Sequence, residues 1–125
     1  MDAIARARRG RTRIAVPELV AGEAFTKLRY DRRISGRGDA RAALAVFDML
    51  AADPSLFEVR GMPSEGHRRS IELLGGYVDQ AFSYVDAIVL LVANDDRRAD
   101  TLLTVDSSLA VYRFDHAVSV STPNT

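Results

Sequence analysis

Cysteine is absent from the 125-residue sequence, and histidine occurs only twice. Without cysteine the chain has no disulfide framework, no Cys-ligated zinc site, no thiol nucleophile and no iron–sulfur cluster. His67 and His116 are far apart in the sequence, so a histidine-rich metal site is not expected. Glycine motifs are also missing: the sequence has no phosphate-binding loop, no dinucleotide fingerprint and no G-x-S-x-G.

Long apolar runs are missing as well. The longest strongly apolar stretch, residues 87–93, is too short to span a bilayer. Residues 1–13 are basic but lack the apolar core of a signal peptide. We therefore expect a cytoplasmic, soluble protein with no membrane partner.

The charges balance overall but are unevenly distributed. The chain has 17 basic and 17 acidic residues. Residues 1–41 carry a net charge of +6, residues 42–78 of −2 and residues 79–125 of −4. The basic segment is suited to a polyanion and the acidic segment to a cation. The alternative is that most of these charges belong to solvated surface.

Helical patterns alternate with short apolar runs along a chain of single-domain length. With 47% hydrophobic and 27% charged residues, the composition is that of a globular domain. Helices are predicted over residues 2–9, 18–32, 39–52, 63–77, 83–93 and 107–112, and strands over residues 14–16, 56–59, 101–105 and 117–120. The alternation predicts an α/β domain, residues 1–125, with a small parallel sheet.

Three acidic residues are candidates for chemistry, and each has a structural alternative. Asp106 follows the predicted strand that ends at Val105, where parallel sheets bind ligands, but it could simply cap the next short helix. Asp86 begins an apolar helix and would need a cation or several donors there, but Ser83 and Asp86 also fit a capping box. Glu23 lies beside the apolar face of its helix and could instead pair with Lys27.

Three segments together resemble PIN-domain nucleases. Residues 16–23, VPELVAGE, followed by a helix, resemble the family segment that carries its second acidic residue. Residues 79–87, DQAFSYVDA, resemble the D-x-x-x-S-x-x-D-A segment that carries the third. Residues 103–106, LTVD, resemble the strand end that carries the fourth. The order and spacing agree over residues 14–120, and within the family the sequence is most similar to VapC-type toxins of toxin–antitoxin pairs.

The resemblance implies a PIN-like three-layer α/β/α fold and a Mg²⁺- or Mn²⁺-dependent ribonuclease. Glu23, Asp86 and Asp106 would be the catalytic metal-binding carboxylates. Asp79 would be a supporting acid, and Ser83 and Thr104 would orient the carboxylates by hydrogen bonds. The implied partners are an RNA substrate, a cognate antitoxin and a second copy in a homodimer. Magnesium suits such a site because it takes carboxylate oxygens and needs neither cysteine nor histidine.

The sequence departs from the family at its start. PIN domains begin with an apolar strand that ends in an aspartate ligand, and nothing before Ile14 matches it. The resemblance thus implies a chain that is N-terminally truncated relative to the family, from a misassigned start or a degenerate gene, and low activity for the chain as it stands. The alternatives are a catalytically inactive PIN-like protein that binds a partner or RNA without cleaving, and a small α/β interaction domain unrelated to PIN.

Overall fold

The computed structural model describes residues 12–31 and 40–122. The helix predicted over residues 2–9 and the start of the helix predicted from Asp39 lie outside the described residues, as does much of the basic segment over residues 1–41. The chain divides into two compact units, Met1–Gly61 and Met62–Thr125.

The first unit contains a parallel pair of strands joined by two helices. The elements are β1 (Ile14–Pro17), α1 (Glu18–Tyr30), α2 (Arg41–Ala52) and β2 (Phe57–Arg60). Ile14 pairs with Phe57 and Val16 with Val59, in parallel register. A parallel pair requires a crossover connection, which α1 and α2 provide. Both strands were predicted, each within one residue of its observed start.

The core of the first unit is small and mainly aliphatic. Leu56 and Phe57 are buried, and Ile14, Val16 and Leu50 pack against them. Elsewhere in the unit the rings of Phe25 and Phe47 meet edge to face, with centroids 5.2 Å apart. This geometry is one that aromatic pairs prefer, and it links α1 to α2.

The second unit repeats the parallel arrangement with shorter strands. Its elements are α3 (Gly66–Gly76), α4 (Tyr84–Asp95), β3 (Thr101–Leu103), a 3₁₀ helix (Ser107–Val111) and β4 (Ser119–Ser121). Thr101 pairs with Ser119 and Leu103 with Ser121, again in parallel. The described residues are therefore a mixed α/β structure with small parallel sheets, which confirms the predicted fold class at that level.

Helix α4 supplies most of the core of the second unit. The sequence predicts a helix that is apolar on all sides, and such a helix is normally buried. Five of its residues are buried: Ala87, Ile88, Leu90, Leu91 and Ala93. Leu90 and Leu91 join Leu73 of α3, Leu102 of β3 and Leu109 of the 3₁₀ helix in one hydrophobic cluster.

The start of α3 differs from the prediction. The helix was expected from Pro63 but begins at Gly66, because Glu65 adopts a left-handed conformation with φ of 50°. Gly66 is buried, and a Cβ there would lie 3.0 Å from Met62 Cε and 3.3 Å from the ring of Pro63. A side chain at residue 66 would therefore require Met62 and the Pro63 ring to shift by a few tenths of an ångström, which glycine avoids.

The end of α4 also differs from the prediction. Asp95 was expected to begin a loop, because a carboxylate opposes the dipole at a helix C-terminus. It is instead the last residue of α4. Arg69 of α3 compensates: its two terminal nitrogens donate to the two carboxylate oxygens of Asp95, at 2.9 and 2.6 Å. This two-point ion pair ties α3 to α4. No helix within the described residues is long and apolar enough to span a bilayer.

Candidate functional site

Asp106 lies just beyond the carboxyl end of β3 and caps the 3₁₀ helix. Its Oδ1 accepts the backbone N–H of Ser108 at 2.9 Å. The side chain of Thr104 holds the same turn from the other side, since its Oγ1 accepts the backbone N–H of Asp106 at 3.1 Å. The main chain at Thr104 is fixed by a hydrogen bond to the Ser121 carbonyl, which continues the pairing of β3 and β4. The position of Asp106 is therefore set by the sheet and by two local turns.

The surroundings of Asp106 keep its carboxylate ionised. The pKa of Asp106 is lowered from its usual 3.8, first by the hydroxyl of Ser108 and then by the backbone N–H of Ser108. Both donors bind the charged form more strongly than the neutral form. Because the folded-state pKa lies below the unfolded value, Asp106 favours the folded state above pH 3.8, and that contribution disappears as the pH falls through the folded pKa.

This pKa leads to a direct expectation for the variant Ser108→Ala. A carbon-detected NMR titration of the Asp106 carboxyl group should give a pKa below 3.8 in the parent chain, and Ser108→Ala should raise it, because the larger of the two causes is removed. Ser107→Ala is the matched control, since Ser107 is an exposed neighbour that does not bond to the carboxylate. Equal shifts from the two substitutions would contradict the assignment to Ser108.

Asp86 lies in the first turn of α4 and forms a reciprocal capping box with Ser83. The backbone N–H of Ser83 donates to Asp86 Oδ2 at 2.8 Å, and the backbone N–H of Asp86 donates to Ser83 Oγ at 3.0 Å. This is the arrangement that the sequence predicts. Ser83 thus orients the carboxylate through its amide, and Asp86 Oδ1 has no hydrogen bond from any described residue. The structural role of Asp86 is confirmed, and one oxygen is left for another use.

Glu23 is an exposed residue of α1 in the first unit. Its expected surface ion pair with Lys27 is not formed: among the described residues, neither side chain has a hydrogen bond or an ion pair. Both carboxylate oxygens of Glu23 are therefore available to a ligand. The helix that carries Glu23 is anchored instead by its apolar contacts with α2.

The supporting residues contribute in unequal ways. Thr104 acts on the backbone of Asp106, whereas the sequence suggested that it orients the carboxylate. Ser108 does orient the carboxylate, and the sequence analysis missed it, although the D-x-S spacing at residues 106–108 is typical of a side-chain cap. Asp79 is exposed in the turn after α3 and lines a groove together with Tyr77 and Arg113.

The candidate carboxylates come from both units. Asp79, Asp86 and Asp106 belong to the second unit, and Glu23 belongs to the first. Within residues 12–31 and 40–122, no group of three or more histidine, aspartate or glutamate side chains is close enough to hold a metal ion. Comparison with protein-family models, with characterised proteins and with solved structures finds no match to this chain.

Proposed function

We propose that this chain is a Mg²⁺- or Mn²⁺-dependent endoribonuclease of the VapC type, with a PIN-like three-layer α/β/α fold. The observation that carries the proposal is the ionised Asp106 carboxylate at the carboxyl end of a strand in a parallel pair. Ligands of α/β sheets bind at such strand ends. The choice of family is supported by the resemblance of three segments to PIN-domain motifs: residues 16–23, 79–87 and 103–106.

The donor chemistry of the proposed site suits a hard cation. Glu23, Asp86 and Asp106 would hold the ion, and all three are carboxylates, the side chains that Mg²⁺ takes most readily. Glu23 keeps both oxygens available and Asp86 keeps Oδ1. A bound ion would polarise the scissile phosphate and lower the pKa of an attacking water. Among the described residues, no three of these groups are clustered, so binding of an ion by all three would require them to move together.

The residues of the chain would prepare the site in three ways. Ser83 fixes the orientation of Asp86 through its backbone N–H. Ser108 fixes Asp106 and keeps it charged, so that no proton has to leave when a cation binds. Thr104 holds the turn that presents Asp106 beyond the strand. Removing such supporting bonds from a metal site typically costs about 10- to 100-fold in affinity or activity.

The proposed partners follow from the same resemblance. They are an RNA substrate, a cognate antitoxin and a second copy of the chain, in the cytoplasm. The net charge of +6 over residues 1–41 supports an RNA partner, because basic residues provide the contacts to phosphate that dominate nucleic-acid affinity.

The test combines metal binding with cleavage. The purified chain should bind Mn²⁺, measured by the loss of the free-ion electron paramagnetic resonance signal. It should cleave labelled RNA slowly, as expected from the departure from the family before Ile14, and only with the metal. Asp106→Asn should weaken Mn²⁺ binding and slow cleavage by about 100-fold or more, beyond the typical cost of losing a supporting hydrogen bond at a metal site. Asp48→Asn is the control, because Asp48 is an exposed aspartate of α2 outside the proposed site. Cleavage that persists in chelator, or equal effects of the two substitutions, would contradict the proposal.

A second candidate function is binding of RNA or a protein partner without cleavage. The observation that favours it is the structural use of both aspartates: Asp86 closes a capping box and Asp106 caps the 3₁₀ helix. These contacts account for both residues with no metal. RNA binding by a chain that neither takes up Mn²⁺ nor cleaves would select this candidate.

A further inference from the structure

Beyond the carboxylates, the second unit contains a groove at the C-terminal end of α3. It is lined by Gly76, Tyr77, Asp79, Gln80, Val111 and Arg113. Its volume of about 420 Å³ lies within the roughly 300–1,000 Å³ of small-ligand sites. The lining combines an aromatic ring, a guanidinium, a carboxylate and an amide, which is a set of groups suited to a polar planar ligand.

Tyr77, the aromatic residue of the groove, is held in place by contacts with other rings and with the backbone. Tyr77 stands in a row of rings, with its centroid 5.6 Å from that of Phe82 and 5.6 Å from that of Tyr112. Tyr112 in turn meets Phe114 edge to face at 4.9 Å. The hydroxyl of Tyr77 accepts the backbone N–H of Arg113 at 3.0 Å, which ties the ring to the segment that carries Arg113. These contacts fix the position of the half-buried Tyr77 ring, so its exposed part offers a preorganised surface for stacking.

Arg113 and Arg97 are the two arginines of this unit without a carboxylate partner among the described residues, and of these two only Arg113 lines the groove. Arg68 is paired with Glu65 and Glu72, Arg69 with Asp95, and Arg98 with Asp96. No described carboxylate pairs with Arg113, although its side chain is exposed in a stretch of net negative charge. An arginine left unpaired beside an aromatic ring can bind a phosphate, and its planar donors suit that role.

Gly76 contributes backbone without a side chain to the lining of the groove. A Cβ at Gly76 would meet nothing within 4 Å, and the same is true of Gly75, which precedes it and does not line the groove. A flat ligand can therefore lie over Gly76 and against Tyr77 without displacing a side chain. Asp79 and Gln80 also line the groove, and a carboxylate and an amide can hydrogen-bond to the exocyclic groups of a base.

We propose that this groove binds one unstacked nucleotide of single-stranded RNA, with the base against Tyr77 and the phosphate on Arg113. The choice of RNA rests on the proposed function, but binding in the groove does not require cleavage. Single strands suit the site because their bases are free to stack on aromatic side chains, whereas the bases of a duplex are stacked on one another. Asp79 repels phosphate, so the sugar–phosphate backbone passes on the side of Arg113.

Two glycines provide a matched test of the groove. The probe is a fluorescein-labelled single-stranded RNA octamer of mixed sequence, titrated by anisotropy against the full-length Asp106→Asn chain in EDTA. Gly76→Gln fills the groove and should weaken binding about tenfold, the loss expected when one base can no longer stack. Gly75→Gln places the same side chain one residue earlier, into open space outside the groove, and should change the affinity less than twofold. Circular dichroism melting of both variants checks that α3 is intact.

Arg113→Ala tests the phosphate contact separately. It should weaken binding several-fold and reduce the slope of log K against log salt by about 0.7, the value for one phosphate contact on a single strand. Arg97→Ala is the control, since Arg97 is an exposed arginine of the same unit that does not line the groove. Unchanged affinity in both Gly76→Gln and Arg113→Ala, or equally tight binding of a duplex of the same sequence, would overturn the proposal.

The outcome also separates this site from the proposed nuclease activity. If the parent chain cleaves RNA and the groove variants bind like the parent, nucleotide binding in the groove is contradicted and the ribonuclease proposal stands. If the parent chain binds the octamer through Gly76 and Arg113 but never cleaves with Mg²⁺ or Mn²⁺, the groove is supported and the ribonuclease proposal fails.

Discussion

Replacing Leu90 by alanine should reduce the free energy of unfolding by about 3 kcal/mol, a shift of roughly a hundredfold in the folding equilibrium. Leu90 is fully buried in α4 and packs in the cluster that α3, α4, β3 and the 3₁₀ helix share. The substitution removes apolar burial and leaves a cavity, and neighbours from four elements cannot all close in on it. Urea denaturation monitored by circular dichroism gives the free energy.

The matched control for this substitution is Ile71→Ala. It removes the same number of carbon atoms from α3, but the Ile71 side chain is 52% exposed and faces solvent. Surface substitutions of this kind usually change stability by less than about 0.5 kcal/mol. If Leu90→Ala costs no more than Ile71→Ala, α4 is not the centre of this core.

Much of the secondary structure was predictable because its signals are local. Ile14 and Val16 belong to a short apolar strand that ends at Pro17, and the structure begins α1 at the next residue. The uninterrupted apolar stretch in α4 correctly predicted a buried helix. The Ser83–Asp86 capping box was predicted from four consecutive residues, since both hydrogen bonds lie within one turn.

Contacts between distant residues were beyond the sequence patterns. Arg69 and Asp95 are 26 positions apart, and only the packing of α3 on α4 brings them into a two-point ion pair. Asp95 was expected to lie outside the helix. It lies inside because the positive charge of Arg69, brought close by tertiary packing, outweighs the unfavourable helix dipole. The hydrogen bond between Tyr77 and the amide of Arg113 likewise spans 36 positions, which is why the groove had no sequence signature.

The candidate site was predictable in part for the same reason. The environments of Asp86 and Asp106 are made by residues within three positions of each, so their capping roles could be anticipated from sequence. Ser108 was missed although its signal was equally local. Whether Glu23 lies close to the two aspartates depends on tertiary structure and not on local signals. Their convergence was inferred from the family resemblance alone, and it remains a prediction.

Asp86→Asn should separate the capping role of Asp86 from its proposed role at a metal. The amide oxygen of asparagine can still accept the backbone N–H of Ser83, so the capping box is kept and the melting temperature should change little. The negative charge is lost, and metal-dependent RNA cleavage should fall by about 100-fold or more, beyond the typical cost of losing a supporting hydrogen bond. Cleavage is measured as an initial rate with saturating Mg²⁺, well below the melting temperature of each variant.

Ser83→Ala is the complementary substitution and should give the opposite pattern. It removes the Oγ that accepts the backbone N–H of Asp86, and losing a helix cap costs about 1 kcal/mol of stability. The backbone N–H of Ser83 still donates to the Asp86 carboxylate, so the orientation and charge of that carboxylate are retained and cleavage should be near the parent rate. If Asp86→Asn lowers stability as much as Ser83→Ala and leaves cleavage and Mn²⁺ binding unchanged, Asp86 acts only as a cap, and the role of a metal ligand must be withdrawn from it.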